Sequence, residues 1–270
     1  LSQTIEAQNL QHLKYGTSSA ENVTLSFWVR SPKTGTHIIE LRHHDASIFN
    51  SQTYTISSAD TWQYVTVTYS GYTATAINND NGKGFLVDWI LAAGSDFTSG
   101  TLSSDTWHST HANRAVGQVN CVDDAANNFY LTGVQLEVGE VATPFEHEDI
   151  GTTLAKCKRY FENVEFDNYV IFGNSYTTTQ FVLPQIIWKV EKRTAPTLTF
   201  PTIGTSSGNV AITKDDGNYV TQGSVIRAFI TTTGAAPYNN NADGYSGLTD
   251  DSICSLYSVG ASTLKVDAEL

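Results

Sequence analysis

Three pairs of neighbouring carboxylates, Asp123-Asp124, Asp215-Asp216 and Asp250-Asp251, are the first candidates for acid–base chemistry in this chain. Adjacent residues of an extended backbone point to opposite faces, so no pair can span one glycosidic bond. Set beside Gly and Asn, they fit solvated turns instead. No nucleophile elbow, phosphate loop or HExxH pattern is present, and the chain predicts no catalytic residue. Histidines occur as His43-His44-Asp45 and as His108 with His111, a spacing that would let the second pair share a metal, though nothing implies a third ligand. The run Asn78-Asn79-Asp80-Asn81-Gly82 offers Asn79 and Asp80 as hard oxygen ligands for a structural calcium. It lacks the closing bidentate Glu of an EF-hand loop, and a hairpin turn is the competing reading. No other cofactor is implied.

Sugar recognition asks for aromatic platforms beside amide or carboxylate partners. Tyr238, Asn239, Asn240 and Tyr245 meet that description in a polar stretch, Gly234 to Gly247, that the sequence predicts as a loop. Trp28 projects from the face opposite the apolar stripe of its own strand, and Trp62, Tyr64, Tyr69 and Tyr72 follow close together. The competing reading puts these large rings in a core or between chains, because of the area each buries.

The elements that must position these residues are strands. Val23 to Arg30 alternates cleanly: Val23, Leu25, Phe27 and Val29 face one way, Thr24, Ser26, Trp28 and Arg30 the other. Further strands are predicted at Leu1 to Ala7, His37 to Arg42, Thr53 to Ile56, Gln63 to Tyr69, Phe85 to Leu91 and Phe129 to Val138. In the last, Tyr130, Thr132, Val134, Leu136 and Val138 share a face. A helix is predicted from about Ile150 to Phe161, with Asp149 as N-cap and Ile150, Leu154, Cys157 and Phe161 on one packing face, Cys157 as a small buried hydrophobe. Beyond it the pattern predicts strands at 169–172, 178–183, 186–190, 197–200, 210–212, 224–230 and 263–268. The expected organisation is all-β: a jelly-roll sandwich over 1–148, a linking helix at 149–162 and a smaller β domain at 163–270.

Composition narrows the partners. Charged residues are 16%, below the roughly 25% of an average globular chain. The net charge is −12, with −9 carried up to Glu148, which disfavours nucleic acid and anionic lipid. No apolar run approaches a membrane span. Three widely spaced cysteines make neither a disulfide framework nor a zinc pattern, and a reducing assembly compartment fits. The absence of methionine leads to the expectation that residues precede Leu1.

The stretch "FYLTGVQLEVGEVATPFEHEDIGTTLAKCKRYFE", 129–161, resembles a block of tailed-bacteriophage virion proteins, mostly tail-fibre and host-adhesion proteins, written "GVQLE-G--ATPFE" followed by "EL--C-RYY". The matching positions are Gly133 to Glu137, Gly139, Ala142 to Glu146, Leu154, Cys157, Arg159 and Tyr160. Thr153 stands where the family has an acidic residue, and Phe161 replaces a second Tyr. "VTLSFWVRSPKTGTH" and "INNDNGKGFLVDWILAAGS" extend the resemblance to about residues 3–162, where it implies the jelly roll of carbohydrate-binding modules. In that family earlier strands usually precede the segment matching Leu1, and the ending "VDAEL" is common. Such jelly rolls often hold calcium through an acidic residue of the final strand; here Thr132 and Gly133 occupy that region. The resemblance implies a homotrimer on the virion exterior that contacts other virion proteins and a bacterial surface glycan without catalysis. A purely structural head-fibre, decoration or tail subunit is the alternative, and a capsule-degrading hydrolase a third.

Overall fold

A computed structural model of the chain describes every residue except 168–169, 205, 207–208, 215–217, 221–222, 224, 240–242, 249–251 and 270. The fold is all-β, and the chain divides into two compact units, Leu1–His147 and Glu148–Leu270.

The first unit has seven strands: β1 (Ser2–Glu6), β2 (Val23–Arg30), β3 (Gly35–His43), β4 (Ile48–Ile56), β5 (Gln63–Tyr69), β6 (Lys83–Ile90) and β7 (Tyr130–Val138). They form two antiparallel sheets, ordered β1-β6-β3-β4 and β5-β2-β7. Apart from the β3–β4 hairpin, every connection passes from one sheet to the other, which is jelly-roll connectivity. Alternation supplies the core. Val23, Leu25, Phe27 and Val29 of β2 are buried against Leu41, Tyr54, Phe85 and Trp89 of the facing sheet. Phe27 meets Tyr54 and Trp89 edge-on, at 5.4 and 5.6 Å between ring centres. Glu40, fully buried on β3, is held by Arg114 at 2.6 to 3.1 Å and by the Ser51 hydroxyl at 2.9 Å. That pairing ties the long β6–β7 connection to the sheet.

In β7 the expected single alternation breaks. Trp28 faces Thr132 but Ser26 faces Gln135, so β7 spends one extra residue opposite Phe27. Gly133, at φ +57°, takes the left-handed conformation of a bulge. Tyr130 and Thr132 therefore share a face with Gln135 and Glu137, not with Val134, Leu136 and Val138.

The second unit opens with a helix, Ile150–Lys158, whose Asp149 cap accepts from the amides of Gly151 and Thr152 at 2.8 and 3.3 Å. It is shorter than expected. Phe161 begins β8 (Phe161–Asp167), where Glu162, Val164 and Phe166 turn inward with period two. None of the helix is buried: Ile150 is 78% and Leu154 49% exposed, and Cys157 is an exposed free thiol rather than a core residue. The remaining strands are β9 (Val170–Thr177), β10 (Gln180–Val182), β11 (Ile186–Ile187), β12 (Thr197–Thr199), β13 (Asn209–Lys214), β14 (Arg227–Ile230), β15 (Gly234–Tyr238), β16 (Ile253–Val259) and β17 (Ala261–Asp267). They make one sheet, β11-β15-β10-β9-β16-β13 with β14 on β15, and a second, β12-β17-β8. Lys192 and Glu162, both buried, pair at 2.9 Å beside this second sheet.

Candidate functional site

The outer face of β5-β2-β7 carries a cluster of half-exposed aromatic rings. Side chains opposite the core stripe of β2 project there, and the antiparallel register lines them up across the sheet. One row is Tyr64–Trp28–Thr132; the next has Arg30 facing Tyr130, with Trp62 just ahead of β5. The rings of Trp28 and Tyr64 lie 5.3 Å apart, and those of Trp62 and Tyr130 meet 6.4 Å apart across the intervening strand. Trp28, Trp62, Tyr64 and Tyr130 are each between 42% and 46% exposed, so every ring keeps close to half its surface in water. Four such rings on one face form a contiguous apolar patch, the usual mark of a binding surface. The guanidinium of Arg30 sits 5.2 Å above the Tyr130 ring, and the carboxylate of Asp60 is 3.8 Å away.

The rest of this face is covered. Residues 139–147 double back over it as a strap. Thr24 Oγ1 donates to the Gly139 carbonyl at 2.7 Å, and Thr68 Oγ1 to that of Glu140 at 3.3 Å. Gln135 accepts from the Glu146 amide at 2.8 Å and donates to the Thr143 hydroxyl at 3.1 Å, while both Glu137 oxygens accept from the Thr143 amide. Thr24 and Ser26 are thereby buried although they point away from the core. The hydrogen bond from Gln135, then those from Thr143, hold the Glu137 carboxyl below its ordinary range. Phe145 brings the strap beside Gly133 and borders the open half. The structure thus gives "GVQLE…ATPFE" a physical role: a bulge, two outward acceptors and the segment they clasp.

Of the residues expected to bind sugar, Trp28 lies on this platform, while Tyr238, Asn239 and Tyr245 belong to the second unit. Residues 234–238 are strand β15 rather than loop. Tyr238 stacks on Phe229 at 4.4 Å. Asn239 is fully buried: its Oδ1 accepts from the Phe181 amide at 2.7 Å and its Nδ2 donates to the Thr179 carbonyl at 2.7 Å. Tyr245 is 2% exposed and packs edge-on against Phe181 in the core. Asn239 and Tyr245 are therefore architectural: one satisfies backbone groups of Thr179 and Phe181, the other fills the core. Asn240 lies outside the described residues. Within the early cluster, Tyr69 is fully buried while Trp62 and Tyr64 are on the surface. Strand parity separates them, and the bulge at Gly133 is what turns Tyr130 outward onto the same face.

The metal candidates resolve into turns and packing. Asp80 Oδ1 accepts from the Gly82 amide at 2.8 Å, and the carbonyls of Asp80 and Gly82 accept from Gln8 and Ala7. Asn79 and Asp80 thus belong to a tied turn. His108 and His111 flank the Phe49 ring at 6.1 and 5.2 Å, and burial lowers the pKa of His108. His43 is fully buried among Tyr15, Tyr72, Phe85 and Trp107, also with a pKa lowered by burial. No three His, Cys, Asp or Glu side chains converge as a metal site among the described residues. Asp123 pairs with Lys33 and accepts from Asn127, and Asp124 caps the Ala126 amide at 2.8 Å; Asp215, Asp216, Asp250 and Asp251 lie outside the described residues. No described helix is long and apolar enough to cross a membrane.

No family model and no curated protein matches the chain. Among solved structures, wild-type discoidin II of Dictyostelium discoideum is similar over 93% of this chain and 72% of its own, at 10% identity and a TM-score of 0.21. At that level of similarity it bears on neither fold nor ligand.

Proposed function

We propose that this chain is a non-enzymatic adhesion component of a bacteriophage particle, of the tail-fibre or receptor-binding kind, which holds a bacterial surface glycan against the outer face of β5-β2-β7. The observation that carries the glycan reading is the pair of aromatic rows, Tyr64–Trp28 and Trp62–Tyr130, half-exposed beside hydroxyl and charged partners. Sugar rings present flat C–H faces that pack on such rings while their hydroxyls reach neighbouring polar groups. The resemblance of 129–161 to virion proteins supplies the phage context. A homotrimer on the virion exterior, joined to other virion proteins, belongs to the same proposal.

A second reading, a structural subunit that binds other virion proteins, has its own support. Phe172, Val182, Phe229 and Ile253 share the outer face of the larger sheet of the second unit, Phe172 and Phe229 being 66% and 64% exposed. Arg227 on that face is paired with Asp243 at 2.8 Å, leaving it without net charge. Such a face suits protein contact.

A bacterial surface-polysaccharide array probed with wild-type protein and with Trp28→Ala decides between them. Glycan retention that Trp28→Ala abolishes supports adhesion through the platform. Absence of retention across the array, or retention indifferent to Trp28→Ala, overturns it.

A further inference from the structure

Resting on the glycan reading of the β5-β2-β7 face, we infer that the ligand is an acidic sugar whose carboxylate is received by Arg30. The inference comes from where the charge sits. Arg30 is on β2, the middle strand of this sheet, directly opposite Tyr130 and on the same face as Trp28 two residues away. Its guanidinium lies 5.2 Å over the Tyr130 ring, which holds the cation beside the platform. A planar fork beside aromatic walls is the arrangement that takes a carboxylate through two parallel N–H···O bonds.

The chain's own carboxylate does not occupy that fork. Asp60 approaches to 3.8 Å, beyond hydrogen-bond reach, and the two side chains are 38% and 57% exposed. An exposed pair at that distance contributes little and yields readily to a better-placed anion. The net charge of −12 opposes an anionic ligand at long range, but at physiological ionic strength that field is screened within roughly 8 Å. The contact itself is decided by the local cation. A neutral sugar could stack on the same rings but would leave the guanidinium facing solvent, so discrimination between acidic and neutral glycans falls to Arg30 and overall affinity to the rings.

The experiment uses two probes of identical skeleton, an oligogalacturonate and its fully methyl-esterified form, titrated by calorimetry into wild-type protein, Arg30→Gln, Arg30→Lys and Trp28→Ala, each checked for unchanged thermal unfolding. The wild type is expected to bind the free acid about tenfold more tightly than the ester, the size of one charge-assisted bidentate contact. Arg30→Gln should bring the two probes to equal affinity. Arg30→Lys should keep part of the preference, since the charge remains but the fork is lost, and Trp28→Ala should weaken both probes alike. Equal binding of acid and ester by the wild type, or a preference that survives Arg30→Gln, overturns the acidic-sugar inference and leaves the glycan reading standing. Binding of neither probe, or binding of both that is unchanged in Trp28→Ala, overturns the inference and the platform reading together.

Discussion

The two aromatic sets of this chain are opposites. Around Tyr238 and Tyr245 the rings sit in a stretch rich in Asn and Gly, which promised exposure, yet Tyr245 is 2% exposed and Asn239 is spent on backbone hydrogen bonds. On β5-β2-β7 the rings sit in or beside strands, which promised packing, yet four of them are close to half-exposed. A strand has two faces, and a sheet covered on one side by its partner sheet offers the other as a flat, rigid display surface. Beyond β15, by contrast, the polar side chain of Asn239 turns inward to partner the backbone of Thr179 and Phe181.

If that contrast is right, mutation should separate the sets by what each loses. Tyr245→Ala removes a buried ring packed on Phe181 and should cost about 3–5 kcal/mol, read as a shifted denaturant midpoint. Trp62→Ala removes a ring already 42% exposed and should cost about 1 kcal/mol or less by the same measurement. A larger loss for Trp62→Ala than for Tyr245→Ala would break the comparison. The smallest effect is on the strap that divides open from covered surface. The Glu137 carboxyl, with an ordinary value of 4.5, is lowered in the folded chain by Gln135 and then Thr143. A lowered folded pKa means that its contribution is complete above the ordinary value and lost as pH falls through the folded one. The Thr143 amide proton shift should therefore titrate with a midpoint below 4.5, and Glu137→Gln should abolish the titration. A midpoint at or above that value would show that the strap does not grip the carboxylate.

Where alternation was uninterrupted the fold was legible. Val23–Arg30 and Gln63–Tyr69 match the sequence pattern residue for residue, and Trp28 was placed on the correct face. Three kinds of residue defeated the pattern. Gly133 inserts a bulge, which a count of two cannot anticipate without the partner strand. Gly234–Tyr238, "GAAPY", has almost no β propensity and is a strand because β10, β11 and β14 pair with it. Phe161 continued the helical spacing of Ile150, Leu154 and Cys157, but the chain turns there because β8 pairs along β17. In each case tertiary pairing overrode a local signal. β16 was different: Cys254 and Leu256 alternate with Ile253, Ser255 and Tyr257, and the flanking turn chemistry obscured a strand that parity would have revealed.

The strap has a consequence for the order of synthesis. Its bonds to Gln135 and Glu137 close loops of only 6 to 11 residues, which costs little chain entropy. The pairing of β2 with β7 that creates its seat joins Val23 to Val138, a far slower closure. A ribosome therefore completes β2 more than a hundred residues before its second neighbour exists. Once β5 has paired with it, β2 still has one edge open to any passing strand, with the rings of Trp28 and Tyr64 alongside. That edge closes only when β7 docks and the strap folds over.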